Sequence, residues 1–138
     1  MSGFTAGGNL DGAWVLTRLV WDFTLSRWQR GTGWVNFAEW APGRFQCRED
    51  LVFAGNTARR MTLWDVSADR IDIHYADGYP LVGLDLSLMP SKGEHLCGED
   101  LYRARLKPVD AMRFLLGWRV TGPRKNYAMV TDYRRMAR

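Results

Sequence analysis

Apolar and polar side chains alternate with a period of two along most of this chain. Val15, Leu19, Trp21 and Phe23 share one parity, with Arg18 and Asp22 on the other. Phe45, Cys47, Leu51 and Phe53 alternate with Gln46, Arg48 and Asp50, and Ile71, Ile73 and Tyr75 with Arg70, Asp72 and His74. The pattern continues through Val82, Leu84, Leu86 and Leu88, then Met112, Phe114, Leu116, Trp118 and Val120, then Tyr127, Met129 and Thr131. Successive side chains of a strand point to opposite faces, so each run reads as a strand with one apolar face. Strands of this kind make an antiparallel sheet with one wet side.

Turn formers separate the runs: Arg30-Gly31-Thr32-Gly33, Pro42-Gly43, Gly55-Asn56, Asp77-Gly78, Pro90-Ser91-Lys92-Gly93, Pro108-Val109-Asp110 and Gly122-Pro123. Asp77-Gly78 suits a tight primed hairpin, because glycine tolerates positive φ. The spacing predicts nine or ten strands. So many successive hairpins close most readily into an up-and-down barrel, which removes exposed edges. Helical spacing is not sustained anywhere. One short N-terminal helical turn, ending at Asn9-Leu10-Asp11-Gly12, is expected to plug a barrel mouth. Residues 1–138 read as a single domain.

Composition adjusts this picture only in part. A chain of 138 residues can bury a core without disulfide or metal staples. Seven Trp, five Tyr and six Phe suit strands and also suit a concave pocket. The net charge is +4, and Arg134, Arg135 and Arg138 supply part of the excess. With no basic stripe or groove-reading motif, nucleic acid is not an expected partner. Cys47 and Cys97 make no disulfide framework, and with His74 and His95 they lack zinc-finger spacing, so no metal site is expected. Residues 1–9 lack a basic flank and apolar stretch, and no run of 18 apolar residues occurs. The expectation is a cytoplasmic protein without a membrane partner.

Leu10-Asp11-Gly12-Ala13-Trp14, at the head of the first strand, resembles the Gly-x-Trp signature of lipocalins and related calycins. That resemblance implies a Trp at the closed base of the barrel with a basic residue of the last strand over its ring, here Arg134 or Arg135. Three further stretches are similar to an uncharacterised bacterial family of calycin-like single domains, a domain of unknown function: Glu94 to Arg103, Trp118 to Tyr127 and Thr131 to Arg135. Asn126 departs from the family pattern, which has Asp there. The resemblance implies a lipocalin-like fold and no activity.

Candidate chemistry gathers near the C-terminal half. His95, Cys97, Asp100 and Tyr102 crowd within eight residues. His95 and Asp100 could serve as an acid/base pair or polar clamp, and Cys97 as a nucleophile if His95 lowered its pKa. The other reading is a loop tied by side-chain hydrogen bonds with Cys97 as a small hydrophobe. In a regular strand Asp100 would have the parity opposite to His95 and Cys97. Arg124 and Lys125, in a turn, could gather an anionic group or simply be solvated. Tyr102, Trp118 and Tyr127, on three late strands, point inward together if the apolar face is the interior. They either line a pocket or fill the core. The ligand-binding candidates are therefore His95, Asp100, Tyr102, Trp118, Lys125 and Tyr127. Three functions stay open: binding of a small apolar or aromatic ligand with an anionic group, a lyase- or isomerase-type enzyme using His95, Asp100 and Tyr102, and a filled structural barrel. In the last, Trp28, Trp34 and Trp40 would form a homodimer or partner surface. No cofactor is expected; a His-ligated haem is the one considered, and nothing marks either His for it.

Overall fold

The computed structural model of the protein describes residues 10–88 and 90–136. Ten strands form there: β1 Gly12–Asp22, β2 Arg27–Ala41, β3 Arg44–Phe53, β4 Asn56–Val66, β5 Arg70–Tyr75, β6 Pro80–Asp85, β7 Ser91–Cys97, β8 Asp100–Asp110, β9 Arg113–Thr121 and β10 Asn126–Arg135. Each pairs antiparallel with its neighbours in sequence, and β10 pairs with β1 to close the barrel. The described residues contain no helix: of the N-terminal turn expected to end at Asn9-Leu10-Asp11-Gly12, Leu10 to Gly12 are not helical and the rest lies outside the described residues. The thinnest seam is β6–β7, held by the single pair Asp85 and Lys92.

Alternation sets the interior as expected in β3, β5, β9 and β10, and β8 follows with Tyr102, Ala104 and Leu106 inward. β1 is reversed. Trp14, Leu16 and Arg18 are buried, while Val15, Leu19 and Phe23 are exposed. Both faces of this strand are rich in apolar residues, and the Trp14 anchor decides between them. Four turn expectations also change, two of them because Ser91-Lys92-Gly93 opens β7 and Pro108-Val109-Asp110 closes β8. Arg30-Gly31-Thr32-Gly33 lies inside β2, where a Cβ on Gly33 would collide with the Asp50 backbone of β3. Gly78 has φ of 88° in a three-residue loop, with Asp77 Oδ1 accepting from the Tyr79 amide, so the turn is not a primed pair.

The end of the barrel where β1 begins and β10 ends is filled. Trp14, Phe37, Trp64, Phe114 and Tyr133 pack ring on ring, with centroids 5.1 Å apart for Trp14–Phe114, 5.0 Å for Phe37–Trp64 and 4.3 Å for the stacked Phe114–Tyr133. Leu10 is buried beneath them and its carbonyl accepts from Trp14 Nε1 at 2.9 Å. Of the two arginines considered, Arg135 covers the Trp14 ring at 4.5 Å. Its Nη1 donates to the Asp11 carbonyl at 2.6 Å.

Above the rings lies a buried polar layer. Arg18 Nη2 meets Glu49 Oε2 at 3.1 Å, Arg18 Nε donates to Thr131 Oγ1 at 2.8 Å, and Cys47, on β3 with Glu49, has Thr62 of β4 as its cross-strand partner. Burial pushes the Cys47 thiol up, and the Glu49 charge adds to it. Burial likewise holds the Tyr133 phenol well above its ordinary value. Both groups keep their protons in the fold at a pH where the unfolded chain has released them. Above about pH 9 the unfolded chain therefore binds fewer protons, and stability falls as pH rises. The slope approaches about 1.4 kcal/mol per pH unit for each group. Denaturant melts between pH 8 and 10.5 check this, and Cys47→Ala should flatten the portion that begins near pH 9.

Candidate functional site

The opposite end of the barrel is open. Inward residues there are large but fewer, and they leave a cavity of about 270 Å³. β4 contributes Arg60, β5 Tyr75, β6 Leu81, β8 Tyr102, β9 Trp118 and β10 Tyr127 and Met129, with Lys125 reaching in from the β9–β10 turn. Tyr102, Trp118 and Tyr127 thus stand on one inner wall, as their parity requires. Val120 faces Tyr102 across β8–β9 and Tyr127 across β9–β10. The Tyr102 and Trp118 rings meet edge to face, with centroids 6.3 Å apart.

Lys125 is held rather than free. Its Nζ donates to Tyr102 Oη at 2.7 Å, lies 3.5 Å from Asp100 Oδ2 and sits 5.3 Å from the Tyr102 ring centroid. The hydrogen bond to Tyr102 is the chief reason its pKa is raised, so the ammonium stays charged at neutral pH. Burial raises the pKa of Tyr127 and Tyr75, with the nearby Tyr102 adding to it, so both phenols remain neutral donors. The result is a pocket with aromatic walls, one held cation, Lys125, a second cation, Arg60, on its lining, and neutral hydroxyls at its rim. Chemically it can accept a flat apolar body and hold one negative group beside Lys125 and Arg60.

The remaining sequence candidates lie nearby in a different arrangement. Gly98 and Glu99 form a two-residue turn, so Cys97 is the cross-strand partner of Asp100, and His95 of Tyr102. The turn resets the parity, and Asp100 shares the face of His95 and Cys97 rather than opposing it. Their closeness does not make a relay. Asp100 is engaged by Lys125, and no hydrogen bond joins His95 to Asp100, Cys97 or Tyr102 among the described residues. His95 Nε2 is buried without a partner, and neither His lines the cavity. The cavity is slightly below the roughly 300–1,000 Å³ typical of pockets for drug-sized ligands. Among the described residues no three His, Cys, Asp or Glu side chains cluster as metal ligands. Trp28, Trp34 and Trp40 all face solvent at 55–66% exposure, with Arg44 5.5 Å from the Trp40 ring.

Sequence reasoning missed Arg60, Tyr75, Leu81 and Met129 as a set. Arg60 carried one usable signal: it has the parity of Thr62, Trp64 and Val66, an arginine on an otherwise inward face.

Comparisons with known proteins agree with this architecture. The model of a family described as "Family of unknown function (DUF6314)" matches residues 10–135. No curated protein matches the chain. Among solved structures, an S-type phycobiliprotein lyase, CPES, from Guillardia theta is similar, with a TM-score of 0.77 at 6% identity over 99% of this chain and 96% of that one. The barrel EF1p2_mFAP2b bound to DFHBI is similar with a TM-score of 0.59 at 14% identity, over 95% of this chain and 97% of that one. A de novo designed fluorescence-activating β-barrel gives 0.57 at 10% identity, over 96% and 100%. At such identities the likeness concerns the fold.

Proposed function

This chain belongs to the family of unknown function DUF6314, and from that premise we propose that it is a binding module holding a small aromatic ligand with an anionic group in the mouth of its barrel. One observation carries the reading: the interior is filled at the base and empty at the mouth, where Tyr75, Tyr102, Trp118 and Tyr127 surround the space and Lys125 and Arg60 face into it. A barrel serving only as a scaffold has no need of cations lining an open aromatic cavity. Two of the similar barrels are a phycobiliprotein lyase and a protein bound to DFHBI, which supports the reading by analogy of fold. The small volume restricts the enclosed part to one or two rings.

The anionic fluorophore 8-anilinonaphthalene-1-sulfonate is a suitable test ligand. Saturable binding to one site per chain is expected. Lys125→Met should weaken it about fivefold, the worth of a partly exposed charge pair. Trp118→Leu, which keeps the apolar volume and loses the ring, should weaken it about three- to tenfold. Met129→Trp should fill the cavity and abolish binding without loss of fold. Unsaturable binding, or binding indifferent to Met129→Trp, would remove the proposal.

A further inference from the structure

A second concave surface lies on the outside of the same wall. It is a groove of about 860 Å³ over β7 to β10, lined among others by Lys92, Arg103, Arg105, Arg119, Gly117 and Val130. The strand register arranges its outward side chains in two rows. One row reads Lys92, Arg105, Gly117, Val130 across four strands; the next reads Glu94, Arg103, Arg119, Ala128. Lys92 is thus directly opposite Arg105, and Arg103 directly opposite Arg119. Like charges facing each other across a ladder destabilise a sheet. Each pair has one carboxylate directly across the ladder from it, Asp85 opposite Lys92 and Glu94 opposite Arg103, so two acidic groups face four cations. Glu94 is the one carboxylate lining the groove, and Asp85 is the β6 partner of Lys92. Among the described residues neither forms an ion pair, and Lys92, Arg103 and Arg105 have no ion-pair partner. Arg119 is fixed in place by Asn126 Oδ1 at 2.7 Å, by the Val120 and Tyr127 carbonyls and by the Phe23 ring 4.2 Å beneath it, so it contributes fixed positive charge while Lys92, Arg103 and Arg105 supply the free donors.

Gly117 is an independent sign. Other strand glycines of this barrel have no room for a side chain: a Cβ on Gly33 or Gly93 would strike backbone. A Cβ on Gly117 would meet nothing nearer than the Met129 carbonyl at 3.8 Å, and its φ is not positive. A glycine in a strand interior costs stability, and where the fold does not require it, close approach of a ligand is one of its recurrent reasons. Here it leaves an open apolar floor with Ala128 and Val130, directly beside the four cations.

We propose that this groove binds an organic diphosphate: a pair of linked phosphoryl groups held by Lys92, Arg103, Arg105 and Arg119, with an apolar or planar body lying over Gly117, Ala128 and Val130. The four cations occupy three neighbouring strands about 5 Å apart, one each on β7 and β9 and two, Arg103 and Arg105, about 7 Å apart along β8. That places their head groups around two adjacent anionic groups rather than a long polyanion. Guanidinium forks suit phosphoryl oxygens, and the short apolar floor suits a body of modest length. This site is separate from the mouth; the two share only the wall containing Trp118 and Met129.

Calorimetric titrations at low salt with geranyl diphosphate, ADP and inorganic pyrophosphate test the assignment. Geranyl diphosphate or ADP should bind at least tenfold more tightly than pyrophosphate, and whichever is tighter identifies the body as aliphatic or planar. Arg103→Met with Lys92→Met should weaken all three at least tenfold. Both side chains are exposed, so the double variant should fold normally, which circular dichroism checks. Gly117→Leu should remove the advantage of the organic diphosphates and leave pyrophosphate binding unchanged. The aromatic sulfonate in the mouth should stay bound when pyrophosphate is added. Binding of none of the three, or equal binding to the folded double variant, overturns the inference and leaves the reading of the mouth untouched.

Discussion

Arg18→Met is expected to destabilise the barrel by about 3–5 kcal/mol, because it leaves the Glu49 carboxylate buried without its counter-charge. The side chains of Arg18 and Glu49 are only 10% and 9% exposed, and the pair bridges β1 and β3 with Thr131 of β10 as a third partner. Within the fold, burial alone would lower the arginine's pKa; the Glu49 charge, together with Tyr133 and the hydrogen bonds to both, outweighs it and keeps the guanidinium protonated. The double change Arg18→Met with Glu49→Leu should recover most of the loss, since an apolar pair of similar volume needs no compensation. Urea midpoints at constant slope, arranged as a double-mutant cycle, measure the coupling. A single-variant cost under about 1 kcal/mol would mean that the carboxylate reaches water.

The other large effect belongs to the filled base. Trp64 is 2% exposed, its ring lies 5.0 Å from Phe37 and 6.4 Å from Phe114, and its Nε1 donates to Thr62 Oγ1 at 3.0 Å. Trp64→Ala should cost about 3–5 kcal/mol, because ring neighbours pinned on several strands cannot collapse into the void. Trp118→Ala, on the wall of a space that is already open, should cost clearly less on the same assay. Equal costs would show that mouth and base are packed alike.

Much of this architecture is legible in the chain because period-two alternation is local. Phe45 to Phe53, Ile71 to Tyr75 and Phe114 to Val120 each carry enough contrast to fix their own faces. β1 does not, since Val15, Leu19 and Trp21 are as apolar as Trp14 and Leu16. What turns Arg18 inward is a glutamate 31 residues and a threonine 113 residues away, and neither partner can be read from the strand itself. Gly31 and Gly33 look like a turn for a related reason: their role is to let β3 approach, which only the paired structure reveals. At the mouth, Tyr102, Trp118 and Tyr127 follow from parity alone. Arg60, Tyr75 and Leu81 join them because closure brings β4, β5 and β6 across the opening. Asp100 changes face because a two-residue turn, rather than a continuous strand, separates it from Cys97.

Fluorine NMR of protein carrying 3-fluorotyrosine tests the central claim most directly, because the five tyrosines sample different depths of the barrel. Titration with 8-anilinonaphthalene-1-sulfonate should shift the resonances of Tyr75, Tyr102 and Tyr127 along one saturating curve, while Tyr133, buried in the base, and Tyr79, exposed outside, stay in place. Movement of Tyr79 or Tyr133 with the three mouth resonances unmoved would contradict a ligand seated in the mouth.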